Sequence, residues 1–197
     1  MNAHDLLWGM TPAQLPADAP TWAVEAISAG HPVVVRRALV APGHVAVGVR
    51  GHLREQRFAT VMPLAQVTRR VVPEALGAVV SPRDLPALRA LEHLRPLLGQ
   101  HAWGVAGSAG FELATGIEAL HAHSDLDLIL RSPERFERGD AQGLLAVLDT
   151  AVCAVDLQLQ TPFGAVALRE WAGGSRRVLL KTSGGAQLVA DPWQAVA

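Results

Sequence analysis

The chain reads as an α+β protein in two parts. A small β-rich N-terminal domain occupies residues 1–79, and a mixed sheet with helices occupies residues 80–197. Three observations carry this reading. Between residues 31 and 62, β-branched runs are separated by glycine and charged residues, as in short strands. From Leu85 to Leu98, leucines recur at helical spacing. From Ala102 to Gln160, strand-like and helix-like runs alternate, the order of a mixed sheet covered by helices.

The elements follow in order. Pro12, Pro16 and Pro20 mark residues 1–20 as an irregular lead. Thr21 is placed to cap a helix over Trp22–Ala29, which Gly30 ends. Val33–Arg36, Val45–Arg50 and Phe58–Met62 read as strands. Ser81-Pro82-Arg83-Asp84 carries a helix-start signature, with Ser as cap, Pro in the first turn and an acid at the third position. The leucine helix that follows should be shortened by Pro96 and ended by Gly99. Ala102–Ala106 reads as a strand that turns at Gly107-Ser108 into a helix through Phe111 and Leu113. Asp125–Arg131 is the next strand, Ala141–Val152 a helix and Cys153–Gln160 a third strand. Phe163–Ala172 is expected to be helical, and Val178–Thr182 with Gln187–Val189 to form a hairpin around Gly184-Gly185.

Composition narrows the classes. Half of the 197 residues are apolar, so a packed core is expected rather than disorder. Cys153 is the single cysteine, which excludes a disulfide framework. No apolar run approaches the roughly eighteen residues of a membrane span, and MNAHDLLWGM lacks the layout of a signal peptide. A soluble cytoplasmic setting with no membrane contact is the expectation. The net charge of -1 gives no reason to expect a nucleic-acid partner. Its distribution is uneven: Arg36, Arg37, Arg50, Arg54, Arg57, Arg69 and Arg70 face one acid, Glu55, between His31 and Pro73. That stretch is either a solvated arginine face or a docking surface for an acidic partner.

The chemistry centres on Val105–Leu130. Asp125 and Asp127 stand two apart in a strand, so their side chains leave on one face, about 6.6 Å apart at the root. Two such carboxylates repel unless a cation lies between them, and hard oxygen donors suit magnesium. Gly107-Ser108 at a helix start offers backbone N–H groups and a hydroxyl to an anion. Asp156 lies on the polar face of its strand with Gln158 and Gln160. If that strand pairs with Asp125–Arg131, Asp156 completes a three-carboxylate site and can take a proton from an attacking hydroxyl. An anion cradle beside such a pair is what a nucleoside triphosphate and its metal require. Two rival motifs fail. Ala106 replaces the first glycine of a nucleophile elbow, and no histidine follows His123 to complete either that triad or a zinc set. His121 and His123 are left at the site entrance or simply exposed. Lys181, the sole lysine, is a phosphate contact or a surface residue; Trp171 and Trp193 stack on a base or pack in the core.

The Gly-Ser helix start, the DLD strand and a single Asp on a third strand resemble the polymerase-β-type nucleotidyltransferase fold. The longer strings HDLLW (4–8), GSAGFELATG (107–116), SDLDLIL (124–130), VDLQLQTPFGAVALREW (155–171), VLLKT (178–182) and DPW (191–193) resemble the phosphoribosyl-dephospho-CoA transferase family of malonate decarboxylase, its holo-acyl-carrier-protein synthases. The resemblance implies transfer of a phosphoribosyl-dephospho-CoA group from triphosphoribosyl-dephospho-CoA to a serine of the apo acyl-carrier subunit, with pyrophosphate leaving. It implies Asp125, Asp127 and Asp156 as catalytic and metal-binding residues for two Mg2+ ions, or Mn2+. Gly107, Ser108, Ser124 and Lys181 would bind substrate. With an acidic carrier as the acceptor, the arginine-rich stretch of residues 31–73 is the expected docking surface. Two alternatives are AMP transfer from ATP to another hydroxyl and a non-catalytic carrier-binding module.

Overall fold

A computed structural model describes residues 1–53 and 55–195; Arg54 of the arginine-rich stretch therefore lies outside the described residues. Two compact units divide the chain between Val72 and Pro73, whereas the change of sequence texture lies near Val79.

The first unit is one antiparallel sheet with a helix. Its strands are β1 (Leu6–Trp8), β2 (Val33–Val35), β3 (His44–Arg50), β4 (Arg57–Pro63) and β5 (Arg69–Val71), in the order β4-β3-β2-β1-β5. Helix α1 (Thr21–Ser28) covers the core face, where Leu7, Ile27, Val33, Val47, Val49 and Met62 are buried. The period-2 alternation sets which side is which: Val45, Val47 and Val49 are buried on one face, and Arg57, Ala59 and Val61 are exposed on the other. Two expectations need correction here. The lead is not irregular throughout, because Leu6–Trp8 forms a strand flanked by β2 and β5; three residues are too few to show a period. Thr21 begins the helix rather than capping it, and Pro20 precedes it in extended conformation. Gly30 does leave the helix left-handed, at φ 77°.

The second unit is a six-stranded mixed sheet. It comprises β6 (Trp103–Val105), β7 (Leu126–Arg131), β8 (Val155–Thr161), β9 (Gly164–Ala167), β10 (Val178–Thr182) and β11 (Gly185–Val189), in the order β11-β10-β9-β8-β7-β6. Only β7 and β8 are parallel; every other neighbouring pair is antiparallel. A parallel pair needs a crossover, and α5 (Arg138–Leu148) supplies it. The other helices are α2 (Pro73–Leu76), α3 (Pro86–Leu94), α4 (Gly107–Thr115) and α6 (Leu168–Ala172). The core collects Leu126, Leu128, Leu130, Leu157 and Leu159 from the central strands, with Leu91, Leu94 and Trp171 from helices. Helix α2 packs on β6. A side chain at Gly104 would collide with the backbone of Pro73 and Glu74, so that glycine permits the contact.

Three local expectations are corrected. The leucine helix does not start at Ser81. A residue before proline is driven out of the helical region, so Leu85 is extended at φ -126°, ψ 149°, and the helix opens with Pro86 in its first turn. The Ser81 hydroxyl instead accepts the Arg83 N–H at 3.2 Å. Phe163–Ala172 is not one helix. Thr161 pairs with Gly164 across a tight turn through Pro162-Phe163, Gly164–Ala167 returns as β9, and only Leu168–Ala172 is helical. The Thr161 hydroxyl accepts the N–H groups of Phe163 and Gly164, each at 3.2 Å, and so fixes the turn. Lastly, α5 begins at Arg138, earlier than expected, and β8 begins at Val155, later than expected.

Candidate active site

The site is set by the register of the parallel pair. Asp127 on β7 is directly opposite Asp156 on β8. Neighbouring strands lie about 4.8 Å apart, and opposed residues in such a pair point to one face. Leu126 and Leu128, and Leu157 and Leu159, fill the core and fix which way the intervening acids turn. Asp156 is exposed and Asp127 half-buried. Two like charges side by side are unfavourable unless a cation or a donor lies between them.

Asp125 precedes the first residue of β7 and is exposed. The Leu126 N–H next to it donates to Ala154 O at 2.9 Å, so Asp125 sits where the two strands begin to pair. It shares an open cleft of about 490 Å³ with Asp156, Arg169, Glu170 and the small residues Ala154 and Ala167. Burial, followed by the charge of Asp125, pushes the nearby Cys153 thiol up, partly offset by the Leu126 N–H. Cys153 is thus held as a protonated thiol beside the cleft, without thiolate character.

Gly107 meets Asp127 from the other side. Its φ is 59°, and a side chain at that position would strike the Asp127 carboxylate. Both constraints call for glycine. The Ala106 N–H donates to Asp127 O at 2.9 Å, which ties the start of α4 to the same point on β7. Helix starts favour negative charge, and the first anionic group against this one is Asp127 itself. Ser108 is in the first turn of α4. Behind it Glu112 is buried, its carboxylate accepting the N–H groups of Ala119 and Leu120 at 2.7 and 2.8 Å and an Arg83 N–H at 2.7 Å. Burial pushes the Glu112 carboxyl up, but these three partners outweigh it and hold it below the ordinary carboxylate value. The loop from α4 to β7 is thereby pinned near its middle, at Ala119 and Leu120.

Ser124 lies at the end of that loop, and its hydroxyl accepts the His121 N–H at 3.0 Å. His121 and His123 are exposed, with ring centroids 6.4 Å apart. Lys181 is not brought to the acids. It stands in the row Arg131–Gln160–Ala165–Lys181, four residues along β8 from Asp156 and two strands across from it. Trp171 and Trp193 pack against each other at 5.1 Å between centroids. Their indole N–H groups donate to Phe136 O and Ser132 O, so both rings serve the core rather than a base.

Among the described residues, no three His, Cys, Asp or Glu side chains converge as a ready-made metal site. The three-carboxylate cage expected from the sequence is therefore not preformed. What the strands provide is the Asp127/Asp156 pair and a third carboxylate, Asp125, in the cleft beside Asp156. These are all hard oxygen donors, the kind that suits magnesium or manganese. Arg169 and Glu170 were missed by sequence reasoning, since they fall in the segment read as a continuous helix.

Both halves of the chain match families. The family described as "Phosphoribosyl-dephospho-CoA transferase MdcG N-terminal domain" matches residues 2–73, and "Phosphoribosyl-dephospho-CoA transferase MdcG C-terminal domain" matches residues 75–192. Among relatives called phosphoribosyl-dephospho-CoA transferase, one from Pseudomonas fluorescens (strain Pf0-1) is 62% identical over 193 residues, covering 97% of this chain and 94% of the relative. One from Pseudomonas aeruginosa is 57% identical over 195 residues (97% and 93%), and one from Azotobacter vinelandii is 55% identical over 201 (98% and 95%). No solved structure matches the chain. With similarity of this depth running through both units, the chain is a transferase enzyme and belongs to the phosphoribosyl-dephospho-CoA transferase family.

Proposed function

We propose that the chain moves the 2'-(5''-phosphoribosyl)-3'-dephospho-CoA group from its 5''-triphosphate precursor to a serine of the apo acyl-carrier subunit of malonate decarboxylase, releasing pyrophosphate. The observation that supports this reading best is the pairing of Asp127 with Asp156 beside the Gly107 helix start. Two acids opposed on neighbouring strands, one of them against a helix start, suit a reaction in which charge builds on phosphate oxygens.

The residues divide the work. Asp156, exposed at the cleft, accepts the proton of the attacking serine hydroxyl. Gly107 and Ser108 present backbone and hydroxyl donors to the triphosphate at the start of α4. Ser124 holds the loop that leads into Asp125. Asp125, Asp127 and Asp156 would hold the magnesium or manganese, which when bound offsets negative charge on the phosphates. Lys181, four residues along β8 from Asp156 and two strands across, stands too far along the sheet to touch the phosphates. The fold of the second unit is read as a nucleotidyltransferase fold on the same grounds: a Gly-Ser helix start followed by acids on two paired strands.

Mass spectrometry of the carrier tests the proposal. Incubation with magnesium, the triphosphate donor and apo carrier should add the mass of the prosthetic group to the carrier. Asp127→Asn should lower the rate about 10³-fold or more, the usual cost of losing a charge-stabilising group at the reacting centre. Labelling from ATP in place of the triphosphoribosyl donor would assign the chain to AMP transfer.

A further inference from the structure

We propose that Arg169 is a phosphate-binding residue of the cleft, held in reserve by Asp149 until the anionic donor arrives. This inference rests on the functional reading above and adds the residue that receives the donor's phosphates. The cleft poses a charge problem. Asp125, Asp156 and Glu170 all line it, and Arg169 is the one cationic residue among the described residues that do. A polyphosphate entering beside three carboxylates needs a positive partner on the cleft wall, and Lys181 is too far along the sheet to be that partner.

The three other charged groups are not equivalent. The Glu170 carboxylate is engaged by the Leu179 N–H at 2.7 Å, a contact that fixes the side chain to the start of β10. Asp125 and Asp156 belong to the acid cluster. Arg169 alone is poised to move. Its guanidinium donates to Asp149 Oδ1 at 2.7 Å, and the two side chains are 61% and 52% exposed. An ion pair in that much water contributes little to stability, so releasing it costs little. A guanidinium also binds phosphate through two parallel N–H groups, a geometry that no lysine reproduces. Asp149 is just past the end of α5, and Arg169 is in the first turn of α6, which follows β9 directly. The swap therefore requires side-chain rotation on fixed elements.

Calorimetric titration of the full-length protein separates the outcomes, with two probes: the triphosphoribosyl-dephospho-CoA donor and inorganic tripolyphosphate. Arg169→Ala should weaken both by about tenfold or more, the scale of a charge-assisted hydrogen bond to phosphate. Arg169→Lys should recover only part of the loss. Asp149→Asn removes the competitor and should bind both probes as tightly as the parent or up to about fivefold tighter. Circular dichroism of each variant confirms that it is folded. A folded Arg169→Ala protein that binds both probes like the parent overturns the inference, and so does weaker binding by Asp149→Asn. The carrier-labelling assay is independent: a parent protein that binds the donor but never labels the carrier sinks the functional reading and leaves the Arg169 site standing.

Discussion

At the scale of single residues, the site depends on small groups in forced positions and on one buried acid that organises its neighbourhood. Glu112 is that acid. Its carboxylate is held below its ordinary value by Ala119, Leu120 and Arg83 against the opposing effect of burial. The sign of the pH dependence follows. The stabilisation is fully present above the ordinary carboxylate value and is lost as pH falls through the lower folded-state value. Glu112→Gln keeps the shape but removes the charge and turns one accepting oxygen into an NH2 donor that faces another N–H, so it should cost about 1–3 kcal/mol at neutral pH. Urea unfolding of parent and variant at pH 7 and at pH 3 checks this. The gap between them should narrow at the lower pH, and a constant gap would show that charge plays no part. Residue scale is also where the sequence was most readable. Asp125, Asp127, Gly107 and Ser108 stand out because alternation and a Gly-Ser turn are visible in one dimension. Arg169 does not stand out, because its role depends on which strand β9 pairs with and on where α6 begins.

At the scale of elements, the chain rewards attention to proline and glycine more than to propensity. The segment Phe163–Ala172 has a composition that suits a helix, yet a tight turn at Pro162-Phe163 folds its first half back onto β8. Gly164 shows why. A side chain there would lie 2.6 Å from Lys181 O, so the glycine allows β9 to approach β10. Gly164→Ala should destabilise the protein by about 1–3 kcal/mol, the usual cost of overpacking a tight contact. Because β9 leads directly into α6, the same variant should lower donor affinity through Arg169 before the protein unfolds. Thermal unfolding and donor titration on one sample measure both effects, and a variant with parental melting temperature would show that the strands can part without cost. Similar logic explains the helix start: the leucine period was readable, but Pro86 overrules the Ser81 signature by forcing Leu85 into extended conformation. The three-residue strands β1 and β5 could not be read at all, since their existence comes from pairing with each other and with β2.

At the scale of the whole molecule, the uneven charge acquires a surface. In the first unit Arg50 on β3 is paired in register with Arg57 on β4. The Arg36 side chain lies across Gly48, within 3.1 Å of where a side chain there would be. All three are on the face opposite the apolar core, alongside the exposed Val61. Two further arginines of the stretch have partners of their own: Arg70 pairs with Asp5 at 2.7 Å, and Arg69 stacks 4.4 Å over Trp8. We infer that the carrier subunit docks on this outer face. Arg50 is only 8% exposed, so reversing its charge would test folding rather than docking. Arg36 and Arg57 are exposed. The double variant Arg36→Glu/Arg57→Glu should raise KM for the apo carrier about tenfold or more and leave KM for the donor unchanged. Like-charge contacts disfavour encounter, and salt should narrow the difference by screening them. Steady-state labelling at low and high ionic strength reads all three quantities. Equal carrier KM in parent and variant at low salt would remove the docking role from this face, while a rise in donor KM alone would place the arginines' influence on the nucleotide instead.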